Sequence, residues 1–91
     1  MNPKISVIIP VYNAEQYLQQ CLQSVVDQTI FHELEVVAVN DGSTDGSAEI
    51  LNDFFTKYPN IHVINQENRG IAIARQVGLK NTRGGVHSIF R

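Results

Sequence analysis

Leu34-Glu35-Val36-Val37-Ala38-Val39 runs directly into Asn40-Asp41-Gly42-Ser43-Thr44-Asp45-Gly46, and this junction decides the fold. The first stretch is apolar except for Glu35 and half of it is valine, the composition of a strand buried on both faces. Every residue of the second stretch favours turns. Beyond it, Ile50, Leu51, Phe54 and Phe55 recur at helical spacing, and Ser43 or Thr44 is placed to cap that helix. Strand, polar turn and helix in succession form the repeating unit of a parallel sheet.

The same unit extends in both directions. Upstream, Lys4-Ile5-Ser6-Val7-Ile8-Ile9-Pro10 is a second buried-strand pattern ended by proline. Asn13 is a candidate helix cap with Gln16 in the reciprocal position. The helix is expected to run to about Gln28, with Leu18, Leu22, Val25 and Val26 on one face. Downstream, Pro59 and Asn60 stop the second helix, and Ile61 to Asn65 reads as a third strand. Gln66 to Gly70 is a polar loop, and a third helix is expected from Ile71 to about Asn81, with Ile71, Ala74, Val77 and Gly78 on one side. Gly84-Gly85 breaks the chain, and Val86 to Phe90 begins a fourth strand. The order βαβαβα(β) predicts an α/β fold, a three-layer parallel sheet with right-handed crossovers.

Composition sets the outer limits. The chain has 91 residues, enough for one small domain, with 43% apolar and 18% charged residues. A chain of this size buries roughly 60–65% of its unfolded surface, so it folds with little stability in reserve. The net charge of −2 is unevenly spread: one Lys against four Asp and four Glu over residues 1–56, two Lys and four Arg against one Glu over 57–91. That asymmetry fits two differently solvated faces, and equally a face for base and sugar beside a face for phosphate. No basic run points to nucleic acid. Cys21, the single cysteine, excludes an internal disulfide and reads as a small buried side chain. No apolar run reaches the ~18–20 residues of a membrane span, and no signal-peptide pattern precedes the first strand. The chain is therefore expected to be soluble and cytoplasmic, while a longer parent protein can still associate with a membrane.

Ligands of open parallel sheets bind beyond the carboxyl ends of the strands. Val11-Tyr12-Asn13, Asn40 to Ser43 and Asn65 to Gly70 all fall there. The turn Pro10-Val11-Tyr12-Asn13 lacks the glycines of a dinucleotide fold, and no GxxxxGK[ST] loop exists. No Cys/His cluster supports zinc. His32, His62 and His87 are widely separated and read as surface or packing residues. Asp41 is the most informative residue. A carboxylate at a strand's carboxyl end can accept the imide N–H of a base such as uracil. Gly42 permits close approach because it has no Cβ, and Tyr12 can lie against a base as an aromatic platform. From residue types alone, a turn with a helix cap is the better explanation of Asp41 to Asp45.

Four segments, in order, carry a resemblance to the family 2 glycosyltransferases. They are Ile5-Ser6-Val7-Ile8-Ile9-Pro10-Val11-Tyr12-Asn13, Leu22-Gln23-Ser24-Val25-Val26-Asp27-Gln28-Thr29, Val39-Asn40-Asp41-Gly42-Ser43-Thr44-Asp45-Gly46-Ser47, and Asn65-Gln66-Glu67-Asn68-Arg69-Gly70 with Ala74-Arg75-Gln76-Val77-Gly78-Leu79. The resemblance covers about residues 4–85. It implies the Rossmann-like, nucleotide-binding half of a GT-A fold, incomplete, with residues 1–91 as its truncated N-terminal part. It implies that Pro10, Val11, Tyr12, Asn13, Asp41 and Gly42 hold the nucleoside, with Asp41 on the uracil of a UDP-linked donor. Arg75 is implied near the donor phosphates or sugar, although on residue type alone it is an exposed helix arginine. The reaction implied is inverting transfer of a sugar from a nucleotide-sugar to an acceptor hydroxyl, the acceptor left open between a saccharide and a lipid-linked saccharide.

The sequence departs from the family pattern twice. Asn40 replaces a common first Asp. After Gly84-Gly85 the chain reads Val86-His87-Ser88-Ile89-Phe90-Arg91, without the Asp-x-Asp motif that binds a divalent cation, Mg or Mn, in the parent enzyme. No catalytic or metal-ligating residue is therefore assigned, and the chain alone is expected to bind nucleotide without catalysing transfer. A non-catalytic nucleotide-binding module and a structural, oligomerising remnant are the alternatives. With its usual neighbour shortened, strand one is expected to offer an unpaired apolar edge at Ile5, Val7, Ile8 and Ile9 that supports a homodimer. The competing outcome is that Val86 to Phe90 folds back and covers that edge.

Overall fold

The computed structural model describes residues 5–82 together with the backbone of 85–88. The elements follow the expected order: β1 (Ile5–Val11), α1 (Glu15–Val26), β2 (Leu34–Asp41), α2 (Ser47–Lys57), β3 (Ile61–Gln66), α3 (Ile71–Lys80) and β4 (Gly85–Ser88), with one 3-10 turn at Phe31–Glu33. Lys4, Gly84, Ile89 and Phe90, which figured in the expected strand ends and chain break, lie outside the described residues. The four strands form one parallel sheet in the order β3-β2-β1-β4.

β1 therefore lies inside the sheet, which corrects the expectation of an unpaired edge. β4 pairs with it from Ile5↔Gly85 to Ile8↔Ser88. Pairing within the chain satisfies backbone groups that an open edge would leave to solvent or to another copy. Val7, Ile8 and Ile9 are buried to 5%, 0% and 3% exposure, so the premise of a dimer through this strand is gone. The outer strands are β3 and β4.

Side chains alternate across the sheet and build a core on each face. Val7, Ile9, Val11, Val36 and Ala38 meet Leu18, Leu22 and Val25 of α1 and Leu51 and Phe54 of α2. On the opposite face, Val37 and Val39 meet Ala74 of α3, with Ile64 and Val77 packed alongside. Small residues bring α3 close: a Cβ on Gly78 would stand 2.5 Å from Cγ2 of Ile8. The result is the expected three-layer arrangement.

Three buried positions expected from periodicity differ. The buried stripe of α2 is Ser47, Leu51 and Phe54; at about 100° per residue, Phe55 lies roughly 75° from its centre and is 50% exposed. Ile71 is also 50% exposed; the buried residues of α3 are Ala74 and Gly78. Cys21, on the flank of the α1 stripe, is half-buried. Asn60 does more than stop a helix. Its Nδ2 donates to the carbonyls of Phe31 and Leu34, both at 3.0 Å, and ties β3 to the entry of β2. Among the described residues no helix is long and apolar enough to cross a membrane.

Candidate functional site

The loops after β1, β2 and β3 converge at the carboxyl end of the sheet, because parallel strands deliver all their exits to one side. Register aligns the strand ends: Asn40 stands opposite Asn65, and Asp41 opposite Gln66. The side chains use that alignment. Asn40 Nδ2 donates to Asn65 Oδ1 at 3.0 Å, and Asn40 Oδ1 accepts the Ser43 N–H at 3.1 Å.

Asp41 is the hub. Its side chain is 2% exposed. Oδ1 accepts Gln66 Nε2 at 2.9 Å and the Arg69 N–H at 2.8 Å, and Oδ2 accepts the Gly70 N–H at 2.9 Å. Its carbonyl accepts Asn68 Nδ2 at 3.1 Å. Burial alone would push the carboxyl up, but the Gln66 amide and the two backbone N–H groups outweigh it and hold the pKa below the ordinary carboxylate value. An ionised carboxylate offers about four acceptor positions. Among the described residues three of these are taken, two on Oδ1 and one on Oδ2.

Gly42 has a positive φ of 71°, and a Cβ there would stand 2.7 Å from the Asn68 backbone nitrogen. Only glycine allows both the left-handed turn and this approach of two loops.

The helix caps expected from sequence are exchanged between segments. The N-cap of α1 is Ala14, without a side-chain cap bond; Asn13 instead takes a positive φ of 47°, and its Oδ1 accepts the Thr44 N–H at 2.7 Å. Ser43 Oγ accepts the Asn13 N–H at 3.0 Å, Ser47 Oγ the Ala14 N–H at 2.9 Å, and Asp45 Oδ2 the Glu15 N–H at 3.2 Å. The N-cap of α2 is Gly46 rather than Ser43 or Thr44, and Asp45 Oδ1 accepts the Ser47 N–H at 2.9 Å. Ser47 first, through its hydroxyl, then its N–H and that of Glu15, hold the Asp45 pKa below the usual value against partial burial. The helix-start donors that need partners thus find them across the two loops, because both helices begin side by side.

The structure brings Asn13, Asp41 and Gly42 into one region. Pro10 and Val11 end β1 and are buried, so their side chains belong to the core. Tyr12 is 48% exposed at the turn. Arg75 is half-buried on α3, the helix whose start Asp41 caps. The contributions of Gln66, Asn65, Ser43, Asp45 and Ser47 were not assigned from sequence; aligning the ends of β2 and β3 would have paired Asp41 with Gln66. His62 lies apart from this site: its Nε2 is 3.9 Å from Glu35 Oε2 near the start of β2. Glu35 also accepts the Ser6 hydroxyl at 2.8 Å. The rim thus offers an exposed aromatic ring, backbone and carboxamide groups and one buried, ionised carboxylate, a set suited to a planar hydrogen-bonding ring. Among the described residues no group of three or more His, Cys, Asp or Glu is placed to hold a metal ion.

Comparison with known proteins gives concordant similarities. The family model described as Glycosyl transferase family 2 matches residues 6–89. The glycosyltransferase GlyA of Streptococcus pneumoniae is 49% identical over 84 residues, which cover 92% of this chain and 12% of that protein. TarS of S. aureus superposes with a TM-score of 0.87 at 36% identity over 96% of this chain and 27% of that one, and has been solved with UDP-GlcNAc and with UDP. The mannosyltransferase PcManGT of Pyrobaculum calidifontis, solved with GDP-Man and Mn2+, gives a TM-score of 0.79 at 28% identity, over 90% of this chain and 25% of that one. The chain thus spans about an eighth to about a quarter of the length of these proteins.

Proposed function

The chain belongs to glycosyl transferase family 2, and from that premise we propose that it forms the nucleotide-binding half of an enzyme that transfers a sugar, with inversion, from a UDP-linked donor to an acceptor hydroxyl. The observation that carries this reading is the Asp41 carboxylate. It is ionised, held by three donors among the described residues, and stands at the carboxyl end of the sheet. A base that presents an imide N–H between two carbonyls complements such a group. Tyr12 supplies an exposed ring to lie against the base. Gly42 lets the loop after β3 close against the loop after β2, and Pro10, Val11 and Asn13 shape the turn after β1. Arg75 on α3 is the cation proposed to meet the donor's diphosphate or sugar.

The solved complexes of TarS with UDP-GlcNAc and of PcManGT with GDP-Man and Mn2+ support a nucleotide-sugar donor and a divalent cation in the enzyme. Among the described residues no group of three or more His, Cys, Asp or Glu is placed to hold that cation, and the role proposed for this chain is donor binding. Titration calorimetry of UDP into the chain tests the reading. Weak saturable binding is expected, and Asp41→Ala should lower affinity by a loss of roughly 1–3 kcal/mol. Equal affinity in the two proteins would remove Asp41 from the base site.

A further inference from the structure

We propose that Asn13 is a positioning residue, a clasp that fixes the Tyr12 turn to the loop after β2 and so sets the ring of Tyr12 in its binding orientation. The proposal deepens the nucleotide-binding reading and rests on it. Asn13 is the one described non-glycine residue with positive φ, at 47°. That conformation costs free energy in an L-residue and is best tolerated by asparagine and aspartate. What holds it is a two-way bond to the neighbouring loop. Its N–H donates to Ser43 Oγ at 3.0 Å, and its Oδ1 accepts the Thr44 N–H at 2.7 Å, with the Thr44 hydroxyl at 3.4 Å from the same oxygen. The Asn13 side chain therefore faces the loop after β2, while the adjacent Tyr12 ring is left 48% exposed. Asn13 Oδ1 is committed to Thr44, so the residue acts on a ligand through the backbone it shares with Tyr12.

Two readouts test this on the chain itself. In the first, amide hydrogen exchange at Thr44 is followed without nucleotide. Asn13→Gly keeps the left-handed backbone and removes the acceptor, and should speed Thr44 exchange on the order of fivefold to tenfold. Asn13→Asp keeps an oxygen acceptor and should restore slow exchange. In the second, UDP affinity is measured in a cycle with Tyr12→Ala. Loss of ring stacking should cost about tenfold in the native background and less than about threefold in the Asn13→Gly background, because an unclasped turn no longer presents the ring. Equal losses in both backgrounds, or unchanged Thr44 exchange in Asn13→Gly, would overturn the proposal. If the native chain takes up no UDP, the nucleotide-binding reading falls and Thr44 exchange alone decides the clasp. Circular dichroism checks folding; should Asn13→Gly unfold, Ser43→Ala removes the acceptor of the Asn13 N–H and takes its place, with exchange followed at the Asn13 amide and the same UDP cycle.

Discussion

The buried carboxylate of Asp41, at the end of β2, accepts the backbone N–H of Gly70 at 2.9 Å and so caps α3 from another element of the fold. Gly70 itself has a positive φ of 99°, which turns its N–H toward the sheet. With the Gln66 and Arg69 bonds on Oδ1, one side chain organises the loop after β3, the start of α3 and the candidate base site.

This arrangement makes stability depend on acid. The folded pKa of Asp41 lies below its ordinary value of 3.8. Its contribution is therefore complete above the unfolded pKa and is lost as pH falls through the depressed folded value. Asp45 is shifted in the same direction and acts in the same window. Asp41→Asn should cost about 1–3 kcal/mol at pH 7 and flatten the loss of stability below about pH 4, with a residual slope from Asp45. Urea unfolding between pH 7 and pH 3 measures both effects. Parallel curves for the two proteins would contradict this account of Asp41.

The two glycines around the hub should differ in cost. Alanine at either meets a positive φ, a strain of about 1–3 kcal/mol, and Gly70, at φ 99° and ψ 160°, lies in a region essentially reserved for glycine. At Gly42 the new Cβ also collides with the Asn68 nitrogen at 2.7 Å, whereas at Gly70 nothing stands within 4 Å. Gly42→Ala should be the more destabilising, because a backbone collision adds to its strain, and urea unfolding of the two variants measures the order. A larger loss for Gly70→Ala would contradict the close approach at Gly42.

Gly78 tests packing on the opposite face. Alanine there gains about 1 kcal/mol of helix propensity, but its Cβ would stand 2.5 Å from Cγ2 of Ile8, a fully buried and β-branched neighbour. Overpacking of this kind costs about 1–3 kcal/mol. Gly78→Ala should lower the thermal midpoint; an increase would show that α3 moves away from the sheet without loss.

Much of this was legible in the residues. The apolar β-branched runs placed β1 and β2, because strands buried on both faces leave no polar alternation to misread. Asp41 stood out as a lone acid between such a strand and a glycine. The caps were not legible: local rules matched Asn13, Ser43 and Thr44 to their own helices, whereas the fold sets two helix starts side by side and exchanges partners between them. Phe55 and Ile71 were misjudged because periodicity gives a face but not its centre or its width. The pairing of β4 with β1 hung on a short segment with little pattern of its own, and backbone hydrogen bonding decided it.

The central claim is that the carboxyl end of the sheet is a nucleoside site organised by Asp41. Heteronuclear NMR of the labelled chain during titration with UDP tests it most directly. The account predicts saturable shifts confined to the amides of Tyr12, Asn13, Gly42, Ser43 and Asn68 to Gly70, lost in Asp41→Ala while that variant remains folded. Shifts centred elsewhere, or an unchanged pattern in Asp41→Ala, would contradict it.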